Sequence, residues 1–175
     1  MSLRNNLTEY GSISKVFHWI VAVGLLIQIP LGFYLVDLEF GEKKLTVENI
    51  HVLMGLAIFY LTLFRLIYKL FNPTPLLKNS LFPGQQLIAN FNHIFLYMSV
   101  FIITISGMLK KLFNGEILNF FFLNIQVKDN FEKAELFYEI HIIGNYILIA
   151  LISLHILAVI VHKAVFKENL LKRIL

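Results

Sequence analysis

An all-α, four-helix integral membrane bundle is the architecture this sequence predicts, and three observations predict it. The chain is 58% hydrophobic and 15% charged over 175 residues, with a mean hydropathy of +0.74, too apolar for a soluble domain of this length. Four stretches approach or exceed the roughly 20 residues that a bilayer's hydrocarbon core requires. Together they consume most of the chain, so residues 1–175 read as one transmembrane domain with no room for a separate soluble one.

The first predicted span is Val16–Val36. It is long, ends without an A-x-A-like cleavage site and contains His18, Trp19 and Gln28, so it is expected to be a retained helix and not a signal peptide. The second, Val47–Leu70, carries His51 near its start, Gly55 one turn on and Arg65 fourteen residues after the histidine. The third, Leu87–Leu109, holds His93 beside Asn90 and Asn92. The fourth, Leu136–Val165, contains His141, Gly144, His155 and His162. Cysteine is absent, which removes disulfides, cysteine-ligated iron–sulfur clusters and covalent c-type haem attachment.

Charge sets the expected orientation. Four spans put both termini on one side, together with the connection between the second and third spans. That side carries Arg4, Lys15, Arg65, Lys69, Lys78, Lys163, Lys167, Lys172 and Arg173 against Glu9 and Glu168. The other side has six lysines against Asp37, Glu39, Glu42, Glu48, Glu116, Asp129, Glu132, Glu135 and Glu139. An excess of Lys and Arg marks the cytoplasmic face, so both termini are expected in the cytoplasm. The pI of 9.3 is then a topology signal, and nucleic acid is not an expected partner.

The histidines carry the chemistry. Fourteen residues of helix return to within about 40° of the same face and rise roughly 21 Å. His141 and His155 therefore share one face near opposite sides of the bilayer. Titratable side chains inside a membrane are costly and mark function, and imidazole is a common metal ligand. Following each span's direction, His51 matches His141 in depth on the outer side, and His18 matches His155 on the inner side. Each pair can supply the two axial nitrogens of a six-coordinate iron, which makes a pair of non-covalently held haems the economical reading.

Other residues have two readings each. His93 competes on depth with His18 for the inner iron; with Asn90 and Asn92 it also suits a polar pocket for a quinone headgroup, or simple interfacial hydrogen bonding. His162, beside Lys163, reads as a headgroup-level residue. Gly55 and Gly144 leave gaps suited to a flat macrocycle or to close helix packing. Arg65, near the inner level, is either a bidentate partner for a haem propionate or a snorkelling cation. Lys15 and Lys69 share that ambiguity.

These segments resemble the bacterial cytochrome b-561 family, which is related to the cytochrome b subunits of hydrogenases and formate dehydrogenases. The resemblance is carried by Phe17-His18-Trp19, by Ile50-His51-Val52 with Gly55 and Arg65, and by Asn72-Pro73-Thr74-Pro75. It continues through Glu139-Ile140-His141, Leu154-His155, His162 and Phe166-Lys167-Glu168-Asn169. It implies two haem b groups with His18, His51, His141 and His155 as axial ligands, in the pairing that depth gives. The stand-alone members, which this short chain resembles most, imply electron transfer from superoxide outside to ubiquinone in the membrane. The net acidic first outer loop, Asp37 to Lys44, is a departure for an anionic substrate, although Lys43, Lys44, Lys110 and Lys111 offer a local basic mouth.

Two other readings compete. In one, the chain is an electron-transfer subunit passing electrons from a periplasmic dehydrogenase or hydrogenase-type partner to quinone. In the other, the six histidines form a transition-metal path, which the lack of intramembrane Asp or Glu disfavours.

Overall fold

The computed structural model describes residues 2–75, 84–120, 123–167 and 169–175, so Lys78 and Glu168 lie outside the described residues. Four long helices account for most of it: α1 Ser12–Asp37, α2 Glu42–Leu70, α3 Gln85–Phe113 and α4 Phe131–Ala164. All four are long and apolar enough to cross a membrane. α1, α2 and α4 start a turn or more before the predicted spans and α3 ends a turn beyond its own, because these polar end turns carry no hydropathy signal yet continue the helical hydrogen bonding.

Local chemistry explains where the helices stop. α3 ends in a Schellman motif: the Glu116 N–H donates to the Lys111 carbonyl, and Gly115, at φ 81°, donates to Leu112. α4 starts at Asn130, whose side chain accepts from the Lys133 N–H at 3.0 Å. The Asn130 N–H itself donates to Phe113 O at 2.8 Å, pinning the start of α4 to the end of α3. Between them lies a short antiparallel hairpin that the sequence did not announce, β1 (Leu118–Phe120) and β2 (Leu123–Ile125), with Leu118 opposite Ile125.

α1 packs against α2, α2 against α3, and α3 most extensively against α4. The packed core is a waist of Ile58, Val100, Ile103 and Leu148, flanked by Leu25 and Ile29 of α1. Leu148, 2% exposed, is seven residues from both His141 and His155, so the waist lies midway between the two histidine levels. Outward-facing side chains such as Leu26, Phe64, Ile143 and Leu154 are exposed and present an apolar surface to lipid.

Both tails fold over one end of the bundle. Asn5 donates to Pro73 O, Tyr68 OH to Leu3 O, Trp19 Nε1 to Ile174 O and Arg173 to Pro75 O. The end carrying the termini is called the terminal end below, and the other the loop end.

Candidate cofactor site

Near the loop end, a cavity of about 320 Å³ opens between the helices, lined by Gln28, Gly32, His51, Gly55, Gly107 and His141, among others. His51 on α2 and His141 on α4 face each other across it, with ring centroids 6.2 Å apart and planes at 69°. Two imidazoles bound to one metal through nitrogens about 2 Å from it place their centroids about 6 Å apart. The pair is thus spaced for a shared iron.

Each imidazole rests on a neighbouring helix where a side chain is missing. A Cβ on Gly107 of α3 would lie 3.0 Å from His141 Nδ1, and one on Gly32 of α1 would lie 3.1 Å from His51 Cε1. One turn before Gly107, the Ile103 carbonyl accepts from His141 Nδ1 at 2.8 Å. That bond places the ring proton on Nδ1 and leaves Nε2 with a free lone pair, the state an axial ligand needs. One turn before Gly32, Gln28 Nε2 donates to the His51 main-chain carbonyl at 2.8 Å. His51 Nδ1 and Gln28 Oε1 are both buried without a hydrogen-bond partner among the described residues. Such unsatisfied atoms are expensive in an interior, and they show a polar site incomplete as the protein chain alone.

At the level nearer the terminal end, His155 faces His93, with ring centroids 5.6 Å apart. Asn92 pairs with His155 Nδ1 at 3.2 Å, while Asn90 is engaged with Gln86 on the exposed side. His18 is within electrostatic reach of both histidines. Arg65 donates to His18 Nδ1 at 3.0 Å. A guanidinium only donates, so this contact puts the His18 proton on Nε2, and Arg65 must turn away for Nε2 to bind iron. Arg65 and Lys69 both lie over the Tyr97 ring, at 5.6 and 5.3 Å from its centroid. Two cations one turn apart beside one aromatic ring attract a carboxylate such as a propionate.

The structure therefore joins His51 to His141, and gathers His18, His93, His155 and Arg65 at the second level. His162 pairs with Gln85 at 3.1 Å, nearer the terminal end. Gly144 serves packing, since its Cβ would meet Ile103 Cγ1 at 2.8 Å, whereas Gly55 borders the cavity beside Gln28. Sequence reasoning missed Gly32, Gly107 and the role of Gln28, although a signal was present. Gly32 follows His18 by fourteen residues and Gly107 follows His93 by fourteen, the interval that relates His51 to Arg65 and His141 to His155.

The four lysines considered for a basic mouth are engaged within the chain. Lys43 lies over the Tyr34 ring, Lys44 donates to Leu38 O, Lys110 pairs with Glu48 at 3.6 Å and Lys111 with Glu116.

A family model described as prokaryotic cytochrome b561 matches residues 9–175. No curated protein matches the chain.

Proposed function

The chain belongs to the prokaryotic cytochrome b561 family, and from that premise we propose that it binds two haem b groups and carries electrons from superoxide on the periplasmic side to ubiquinone. Family membership makes it a multi-pass membrane b-type cytochrome of electron transfer; the number of haems, the donor and the acceptor are the proposal. When bound, a bis-imidazole haem supplies outer-sphere electron transfer, with no open iron position for oxygen chemistry.

The observation that carries this reading is the His51–His141 pair, 6.2 Å apart in a cavity floored by two glycines. These histidines would hold the outer iron. His18 and His155 would hold the inner one, with Arg65 released from His18 to a propionate and Lys69 and Tyr97 beside it. The quinone site is assigned to the inner level near His18, His93 and His155, where Asn92 already faces in. The charge asymmetry supports cytoplasmic termini, and the family supports placing the chain in a bacterial inner membrane.

The test is spectroscopic. Protein purified in detergent should show two haems per chain, reduced by superoxide generated in situ, with a short-chain ubiquinone consumed. Absence of haem would sink the assignment. His18→Ala and His93→Ala separate the inner ligands: loss of one haem is expected from the first and retention of both from the second, with the converse assigning His93.

A second donor is favoured by one observation. Superoxide is an anion, and the lysines near the outer cavity are each matched with an internal partner. In the half-buried pair Lys110–Glu48 the carboxylate cancels the field with which that lysine would steer an anion. A periplasmic donor protein needs no such field. Haems reduced by dithionite yet indifferent to superoxide would establish that reading instead.

A further inference from the structure

The two imidazoles of the outer pair are unequally supported. His141 has its Nδ1 bonded to the Ile103 carbonyl. His51 Nδ1 has no partner, and it is buried. An imidazole that binds iron through Nε2 carries its proton on Nδ1 and needs an acceptor there.

The surroundings of His51 narrow the choice. Its ring lies on α1 at Gly32, which offers no side chain. The residue one turn earlier on the same face of α1 is Gln28. Its amide is fixed by the 2.8 Å bond from Nε2 to the His51 carbonyl, which turns Oε1 away from that carbonyl. Oε1 is itself buried without a partner, and Gln28 lines the cavity. Thr62 Oγ1, also buried and unpaired, is eleven residues further along α2 and roughly 16 Å away along the axis. A donor in need of an acceptor and an acceptor in need of a donor thus belong to two residues already joined by one hydrogen bond.

We propose that Gln28 is a positioning residue for the outer axial ligand, its side-chain oxygen accepting the Nδ1 proton of His51 when Nε2 of His51 is bound to iron. The inference rests on the two-haem reading above. Gln28 then grips His51 twice, by main chain and by ring, and both axial imidazoles of the outer site become hydrogen-bonded. Such a bond makes the imidazole more electron-donating and favours the ferric state, so Gln28 holds the potential of the outer haem down. The rival acceptor is the main-chain carbonyl of residue 28, in the place that the Ile103 carbonyl occupies for His141.

Gln28→Leu separates the two, because it removes the amide and keeps the main-chain carbonyl. Redox titration of the purified holoprotein is the measurement. The expected result is one of the two haem potentials rising while the other stays. At fixed ambient potential the oxidised-to-reduced ratio of that haem falls by about tenfold, equivalent to about 59 mV for a one-electron couple. Gln28→Glu, a neutral acid at this depth, keeps an accepting oxygen and an O–H for the His51 carbonyl, and returns the potential to the wild-type value or below. Both haems present in Gln28→Leu with both potentials unmoved would overturn the proposal in favour of the main-chain carbonyl. Should Gln28→Leu lose the outer haem, retention in Gln28→Glu at a wild-type or lower potential supports it, and loss in both overturns it. Wild-type protein without two haems is a different failure, that of the underlying reading.

Discussion

A histidine is only as good a ligand as its seat. His141 is set by a carbonyl on one side and a missing Cβ on the other. In Gly107→Ala, a methyl 3.0 Å from Nδ1 competes with the Ile103 bond, and the main chain of α3 cannot yield without disturbing the waist. If the chain holds two haems as proposed, the expected outcome is loss of one, about half the total, measured by pyridine haemochromogen absorbance per chain. At this scale the sequence was half legible. The fourteen-residue interval identified His141 and His155 because histidines stand out among Leu and Ile. The same interval marked Gly32 and Gly107, but a glycine in an apolar span is usually packing, and only the ring on top of it gives it meaning. Nor does spacing show that Arg65 touches His18 Nδ1, since that contact joins side chains from two helices.

The helices themselves were legible from hydropathy, as were the ends of α1, α2 and α4 to within a residue, but the starts of those helices and the end of α3 were not. Ends are set by individual polar bonds that averaging over a window erases. Asn130 is the clearest case: its side chain caps α4 through Lys133 while its N–H ties α4 to Phe113 of α3. Asn130→Ala removes the first bond and keeps the second, and should cost about 1 kcal/mol, read as earlier loss of helicity on titration with a denaturing detergent. The hairpin from Leu118 to Ile125 escaped notice for a related reason. Three-residue strands are too short for alternation to register, and an apolar run there resembles a loop lying on the membrane.

Across the whole molecule, the terminal end is sealed by its tails. Tyr10, outside the spans, is half-buried there, and loss of solvent pushes its phenol up, opposed in part by the nearby Arg173 and Arg65. A raised value in the folded state means that the neutral phenol stabilises the fold. That contribution is complete below the unfolded value near 10 and is lost as pH climbs through the folded one. Thermal midpoints measured from pH 9 to 11 should therefore fall less steeply in Tyr10→Phe than in the parent.

The waist at Ile58, Val100, Ile103 and Leu148 bears on how such a protein is assembled. It fastens α2, α3 and α4 to one another at mid-depth, between the cavity near the loop end and the terminal end that the tails close. The same four residues line the cavity near the loop end, so the waist is also that cavity's wall. A group seated between His51 and His141, as proposed, would share a wall with the fastening of the bundle, so that loading the site and packing the helices become one process.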